Sequence, residues 1–202
     1  MSFFTLEGID GSGKSTVSSI IQKELKKRNA NFIAVREPGS TGIGEKIREL
    51  LLDPDAFISP IEEVYLYATS RAVFVRRIVL PALNSGKVVI SERYVDSSFA
   101  YQGYGKGVPL KFIYEINKQA ISGVFPNLTV LLDIDPSTAL KRLEGKKKDR
   151  LELEGLDFYE RVRGGYLRLA ELFRYRYMVV DGTKEPGEIA SIVLDKLERF
   201  IQ

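Results

Sequence analysis

Cysteine and histidine are both absent from the 202 residues. Without cysteine there is no disulfide framework and no thiol nucleophile. Without histidine, Ser–His chemistry and histidine metal sites are excluded. Catalysis is left to lysine, arginine, carboxylates, hydroxyls, backbone amides or a metal held by oxygen. No hydrophobic run reaches the length of a membrane span, and the N-terminus lacks a basic-then-apolar signal pattern. A cytoplasmic protein that does not engage a membrane is therefore the expectation. The net charge of +3 is too small to argue for nucleic-acid binding. What is present is ordinary for a soluble globular chain, with 44% apolar and 28% charged residues. The length fits one domain over residues 1–202, and a chain of this size buries roughly 70% of its unfolded surface without a metal or disulfide staple.

Short apolar runs alternate with amphipathic stretches. Ser2–Glu7, Asn31–Arg36, Lys87–Ser91, Leu128–Asp133 and Tyr177–Asp181 are rich in Val, Ile, Leu and Phe with little alternation, as strands buried on both faces are. Between them, Val17, Ile20, Ile21 and Leu25 share a helical face. So do Ile61, Val64, Ala68, Val75 and Val79 on a longer helix, and Ile189, Val193, Leu197 and Phe200 after Pro186. Strand-then-helix repetition implies an α/β fold, a five-stranded parallel sheet with helices on both faces. There is no internal repeat. The charged, Gly-containing stretch Glu144–Arg150 reads as a mobile loop.

Gly8-Ile9-Asp10-Gly11-Ser12-Gly13-Lys14-Ser15 matches G-x-x-x-x-G-K-[ST] between an apolar strand and an amphipathic helix, the context in which the motif is a P-loop. Its glycines let backbone N–H groups converge on phosphate oxygens, and the helix N-terminus adds partial positive charge. Lys14 can reach the β- and γ-phosphates, and Ser15 can ligate Mg²⁺. The bare alternative is a Gly-rich turn with a chance lysine. A guanine reader would want Asn-Lys-x-Asp, whereas Asn117-Lys118-Gln119-Ala120 ends in alanine. No Asp-x-x-Gly switch follows, and Asp133 is followed by Ile134 where a motor ATPase would place glutamate. These absences point to an ATP-dependent kinase. Such an enzyme needs a second anion site, for which Arg36, Arg71 and Arg93 are candidates against the plain reading of solvated or salt-bridged residues. Arg36 and Arg93 follow strands, where open α/β sheets bind ligands.

The motifs also resemble, in order and spacing, the thymidylate kinases of the nucleoside-monophosphate kinase family. The resemblance rests on Glu7–Gly11, Arg36-Glu37-Pro38-Gly39-Ser40-Thr41, Tyr67–Arg71, Glu92-Arg93-Tyr94, Ser97–Gly103, Leu131-Leu132-Asp133 and the loop ending in Asp149-Arg150. It implies the three-layer P-loop kinase fold with a short lid at about 144–155, and transfer of the ATP γ-phosphoryl group to dTMP. It implies ATP contacts over Gly8–Ser15 and Thr16, with Arg142 and Thr183 flanking adenine. On the acceptor side it implies Asp10 at the 3′-hydroxyl, Tyr67 stacked on thymine, and Arg71, Ser98 and Gln102 at the base. Tyr101 would fill the space beside C2′, Arg93 would hold the acceptor phosphate, and Arg36, Glu37 and Pro38 would complete the pocket. Mg²⁺ would be held by Ser15 and Glu92, although the family usually has aspartate at the latter position. A homodimer is implied as well. Some members carry arginine at the position of Gly11; here the missing cation would come from the lid, with Arg150 preferred over Lys146, Lys147 and Lys148. The rivals are a deoxynucleoside kinase using Glu37 as base on a 5′-hydroxyl, and an ATP-binding regulator without transfer activity.

Overall fold

A computed structural model describes residues 2–145 and 149–201, the last three by backbone alone. In chain order the elements are β1 (Phe3–Glu7), α1 (Lys14–Lys27), β2 (Phe32–Arg36), α2 (Gly42–Leu52) and α3 (Pro60–Phe74). A π-helical turn (Val75–Val79) then leads into α4 (Leu80–Asn84), β3 (Val88–Glu92) and α5 (Val95–Ser98). A second π-helical segment (Phe99–Gly105) precedes α6 (Leu110–Ile121), β4 (Leu128–Asp133), α7 (Pro136–Leu143), α8 (Leu156–Leu172), β5 (Tyr177–Asp181) and α9 (Pro186–Ile201). The strands form one parallel sheet in the order β2-β3-β1-β4-β5, with Phe4 opposite Ile90 on one side and Leu128 on the other. The expected strands are all present, with ends shifted by at most one residue.

Residue parity along β1 separates two tasks. Phe4 and Leu6 point into an apolar layer with Val17, Ile21 and Leu25 of α1 and Ile189, Val193 and Leu197 of α9. Phe3 points to the opposite face, where Phe74, Val75, Val79, Val89 and Tyr94 pack. Farther along that face Thr5 donates to Thr129 Oγ1 at 3.0 Å, and buried Glu7 accepts from the Tyr94 amide, Ser97 and Tyr166. The second face therefore changes from apolar to polar toward the carboxyl end of the sheet, where a ligand site belongs.

Two corrections concern helical faces. Val64, Ala68, Val75 and Val79 are buried as expected, but Ile61 is exposed. It lies in the first turn of α3, before that helix reaches the core. Ile189, Val193 and Leu197 are buried, while the side chain of Phe200 lies outside the described residues, as do Lys146, Lys147 and Lys148.

Three helix starts, those of α2, α3 and α7, carry side-chain caps. Thr41 accepts from the Gly44 amide, Ser59 and Glu62 form a capping box ahead of α3, and Asp135 caps α7. Each such cap is worth about 1 kcal/mol. α1 begins instead at Gly13, with φ 94° and no side-chain cap, leaving its first amides available to an anion.

Candidate active site

The β1–α1 loop wraps around the Lys14 ammonium. Its Nζ donates to Gly8 O (3.0 Å), Ile9 O (2.8 Å) and Ser12 Oγ (3.2 Å). Burial, reinforced by the nearby Arg93 charge, pulls this lysine down to about 7. Gly11 has φ +79°, and a Cβ there would stand 2.3 Å from the Ala139 carbonyl oxygen of α7. This backbone therefore has no room for an arginine at position 11.

A cavity of about 670 Å³ opens over this loop. Asp10–Thr16 line it together with Arg36, Glu92, Arg93, Arg142 and Thr183, so the expected triphosphate residues converge, except that Gly8 and Ile9 serve as carbonyl partners of Lys14. Arg142 donates to Gly11 O (3.3 Å) and Gly182 O (3.2 Å), tying the P-loop to the β5–α9 turn. In that turn Asp181 accepts from the Thr183 amide and hydroxyl. Ser15 Oγ donates to Glu92 Oε2 at 2.7 Å. The two oxygens form one hard donor pair of the kind Mg²⁺ takes when phosphates and water complete its shell. No group of three or more acidic, His or Cys ligands exists among the described residues.

A smaller cavity, about 70 Å³, adjoins the first and shares Asp10, Glu37, Arg48 and Arg93 with it. Pro38, Tyr67, Arg71, Ser98, Tyr101 and Gln102 complete the expected acceptor set on its walls. Arg36 does not: it lines the larger cavity and pairs with Glu45 at 3.0 Å. Arg71 is almost fully buried, with Nε 2.6 Å from Glu37 and NH1 donating to Ser98 Oγ and Asn117 Oδ1. The Glu37 contact is electrostatic, since neither carboxylate oxygen receives an aligned donor among the described residues. Burial pushes the Glu37 carboxyl up to about 7 against the pull of Arg71.

Arg93 joins the two cavities. It has φ 68°, a left-handed conformation costing a non-glycine residue roughly 1–2 kcal/mol. Its NH1 donates to Gly8 O, Ser97 Oγ and Tyr166 OH, and its NH2 to Asp10 Oδ1 (2.5 Å) and Tyr101 OH (2.9 Å). Tyr101 and Tyr159 in turn donate to Asp10 Oδ2. Burial alone would raise Asp10, but the Arg93 charge and then Lys14 more than offset it and hold the carboxyl down at about 2.

Arg150 stands elsewhere. It lines neither cavity: NH1 donates to Glu63 Oε1 at 2.6 Å and Nε to Leu51 O at 3.1 Å. Its neighbours Asp149 and Leu151 do line the smaller cavity. Sequence reasoning missed Arg48, which lines both cavities and donates to Pro38 O at 3.2 Å. On α2 it reads as one more solvated helical cation, and nothing local distinguishes it. Glu63 was missed for the same reason.

Comparison with known proteins bears on the family and the fold. The thymidylate kinase family model matches residues 6–192. A thymidylate kinase of Caldanaerobacter subterraneus is 44% identical over 200 residues, covering 99% of this chain and 96% of the relative. One from Carboxydothermus hydrogenoformans is 47% identical over 188 residues, covering 93% and 92%. The crystal structure of thymidylate kinase from Ehrlichia chaffeensis superposes with a TM-score of 0.81 at 30% identity, covering 98% of each chain.

Proposed function

Because this chain belongs to the thymidylate kinase family, it is an ATP-dependent nucleoside-monophosphate kinase, and we propose that its larger cavity holds Mg·ATP and its smaller one dTMP. The observation that carries this reading is Arg93, whose one guanidinium borders both cavities beside Asp10. An oxygen of the dTMP phosphate attacks the γ-phosphorus, the bond to the β–γ bridging oxygen breaks, and ADP leaves with that electron pair. The acceptor phosphate has its second pKa near ~6, so it attacks as a dianion and no general base is required. That suits a chain without histidine. The residues supply position and charge: Lys14 on the β- and γ-phosphates, Arg93 on the acceptor phosphate, Asp10 on the 3′-hydroxyl, and Tyr67 against the thymine face. Ser15 and Glu92 would hold Mg²⁺, which supplies charge neutralisation at the phosphates. A 5′-hydroxyl acceptor with Glu37 as base is not favoured, nor is a regulator without transfer activity.

A coupled ADP-release assay across nucleoside monophosphates tests the assignment. dTMP is expected to be the best acceptor and thymidine to be inert. Turnover of thymidine above that of dTMP would move the chain to the nucleoside kinases.

We take residues 1–202 as one domain whose lid spans about 144–155. Arg150 would act there only after exchanging Glu63 for phosphate oxygens in a closed state. Arg150→Ala is then expected to lower kcat at least about tenfold with little change in ATP affinity, as a group engaged only during transfer should. A wild-type kcat would leave Arg150 as the counter-ion of Glu63.

The assembly we propose is a homodimer. α3 and α6 pack side by side, Tyr65 meeting Phe112 edge-on at 5.7 Å. Ile61 and Tyr65 of α3, and Leu110 and Tyr114 of α6, are exposed at i,i+4 spacing, with Phe57 99% exposed before α3. Apolar surface of this kind suits a self-complementary partner. Tyr65→Glu is expected to convert the protein to a monomer by light scattering; an unchanged mass would move the interface elsewhere. No helix among the described residues is long and apolar enough to cross a membrane. We place the enzyme in the cytoplasm, with its nucleotide substrates.

A further inference from the structure

Glu63 is a fully buried carboxylate on α3 that lines neither nucleotide cavity. Its Oε1 accepts from Lys106 Nζ and Arg150 NH1, each at 2.6 Å, and its Oε2 accepts from Gln102 Nε2 at 2.9 Å. Gln102 is itself buried and lines the acceptor cavity. A carboxylate held between two cations offers lone pairs and no proton. An amide meeting it has one workable orientation, with NH₂ toward the carboxylate and the carbonyl turned away. No hydrogen bond to Gln102 Oε1 is made among the described residues.

We infer that Glu63 is a positioning residue for base selection: it fixes the Gln102 amide so that the acceptor cavity meets the base with a carbonyl oxygen, favouring the ring N3–H of thymine over the unprotonated ring nitrogen of cytosine. The inference rests on the smaller cavity being the dTMP site. A carbonyl facing N3–H gains a hydrogen bond, whereas facing the cytosine lone pair it loses one and repels. A site built around one such bond discriminates well beyond what apolar contact achieves. Glu63 thereby reaches the base from outside the cavity, through one side chain.

The electrostatics also dictate what a neutral replacement does. In Glu63→Gln, Lys106 keeps Glu154 at 2.7 Å, but Lys106 and Arg150 still aim N–H donors at this position, where an NH₂ group would clash with both, so the new amide gives them its carbonyl. Its NH₂ group is left facing Gln102. Two NH₂ groups cannot satisfy each other, so the Gln102 amide turns over and presents NH₂ to the base. The dTMP-to-dCMP ratio of kcat/KM is therefore expected to fall at least about tenfold in Glu63→Gln, with the KM for ATP unchanged.

In a Gln102→Ala background the same substitution should leave the ratio where Gln102→Ala alone puts it. A purely structural role would slow both acceptors together and leave their ratio alone. If Glu63→Gln is too unstable to assay, Glu63→Gln/Arg150→Met removes one cation along with the carboxylate charge and keeps Lys106 as the orienting donor, the loss of Arg150 slowing both acceptors alike. The expected result for that pair is the same. A ratio within twofold of wild type in the folded variant, or an equal shift in the Gln102→Ala background, overturns the inference. Wild-type protein inactive on dTMP would instead remove the functional reading on which it rests.

Discussion

Lys14→Ala is expected to lower kcat for dTMP phosphorylation by about 10²–10³-fold or more, the loss typical of one preorganised donor aimed at developing charge. The fold should survive. Of the carbonyls that Lys14 holds, Gly8 O also accepts from Arg93 NH1 and Ile9 O from the Ser12 amide, so each keeps a donor. A thermal melt near that of the wild type combined with near-normal turnover would remove the central claim about this loop. The lysine also predicts a pH dependence. In the free enzyme burial holds it down at about 7, and triphosphate oxygens, by favouring the ammonium, raise it on binding. The bound value then exceeds the free one. ATP affinity is full below about pH 7 and falls as pH rises above it, by up to about tenfold per unit, until the bound value is passed. Calorimetry at pH 8 in buffers of different ionisation enthalpy should register proton uptake with ATP. No uptake would mean that the free lysine is already charged.

What was legible in the sequence is what contiguous residues carry. The five strands are apolar runs, β1, β3 and β4 buried on both faces and the edge strands β2 and β5 only partly, so each announces itself within five or six residues. The P-loop is a single unbroken motif. The remainder depends on partners far apart in the chain. Arg150 looks like a lid cation because its neighbours are charged, yet Glu63, 87 positions earlier, holds its guanidinium. Asn117 entered the sequence reading only as part of a missing guanine motif, while in the fold it accepts from Arg71, 46 positions away. Arg48 lies on an ordinary amphipathic helix, and only the fold turns it toward both cavities. The π-helical segments at Val75–Val79 and Phe99–Gly105 break the helical period on which face assignments rely, while Ile61 was misplaced because it lies in the first turn of α3, before that helix reaches the core. Tyr101 and Gln102, inside the second of these segments, were reached through resemblance and not through periodicity.

Arg93→Ala is expected to cost about 10³-fold or more in kcat/KM for dTMP while ATP affinity changes only several-fold. The donor side keeps Lys14 and Arg142 along the larger cavity, whereas the acceptor side loses one of the two cations, Arg93 and Arg48, that border both cavities. Part of the loss is indirect. Arg93 is the ion-pair partner of Asp10 and donates to Tyr101, and without it the Asp10 carboxyl rises from about 2 under the pressure of burial. A carboxylate placed for a sugar hydroxyl would then also be misaligned, so kcat and KM for dTMP should both worsen. Arg93→Lys should recover little, because one ammonium cannot span the Gly8 carbonyl, Asp10 and Tyr101 as the planar fork does. Stability and catalysis separate in a third variant. The backbone at Arg93 is left-handed, so Arg93→Gly relieves strain that Arg93→Ala retains and should melt higher by the equivalent of roughly 0.5–1 kcal/mol. It should be no more active. Recovery of activity in Arg93→Gly would assign the loss in alanine to a distorted β3–α5 turn. Collapse of ATP affinity in either variant, with an unchanged KM for dTMP, would place Arg93 on the donor side and reverse the two anion sites.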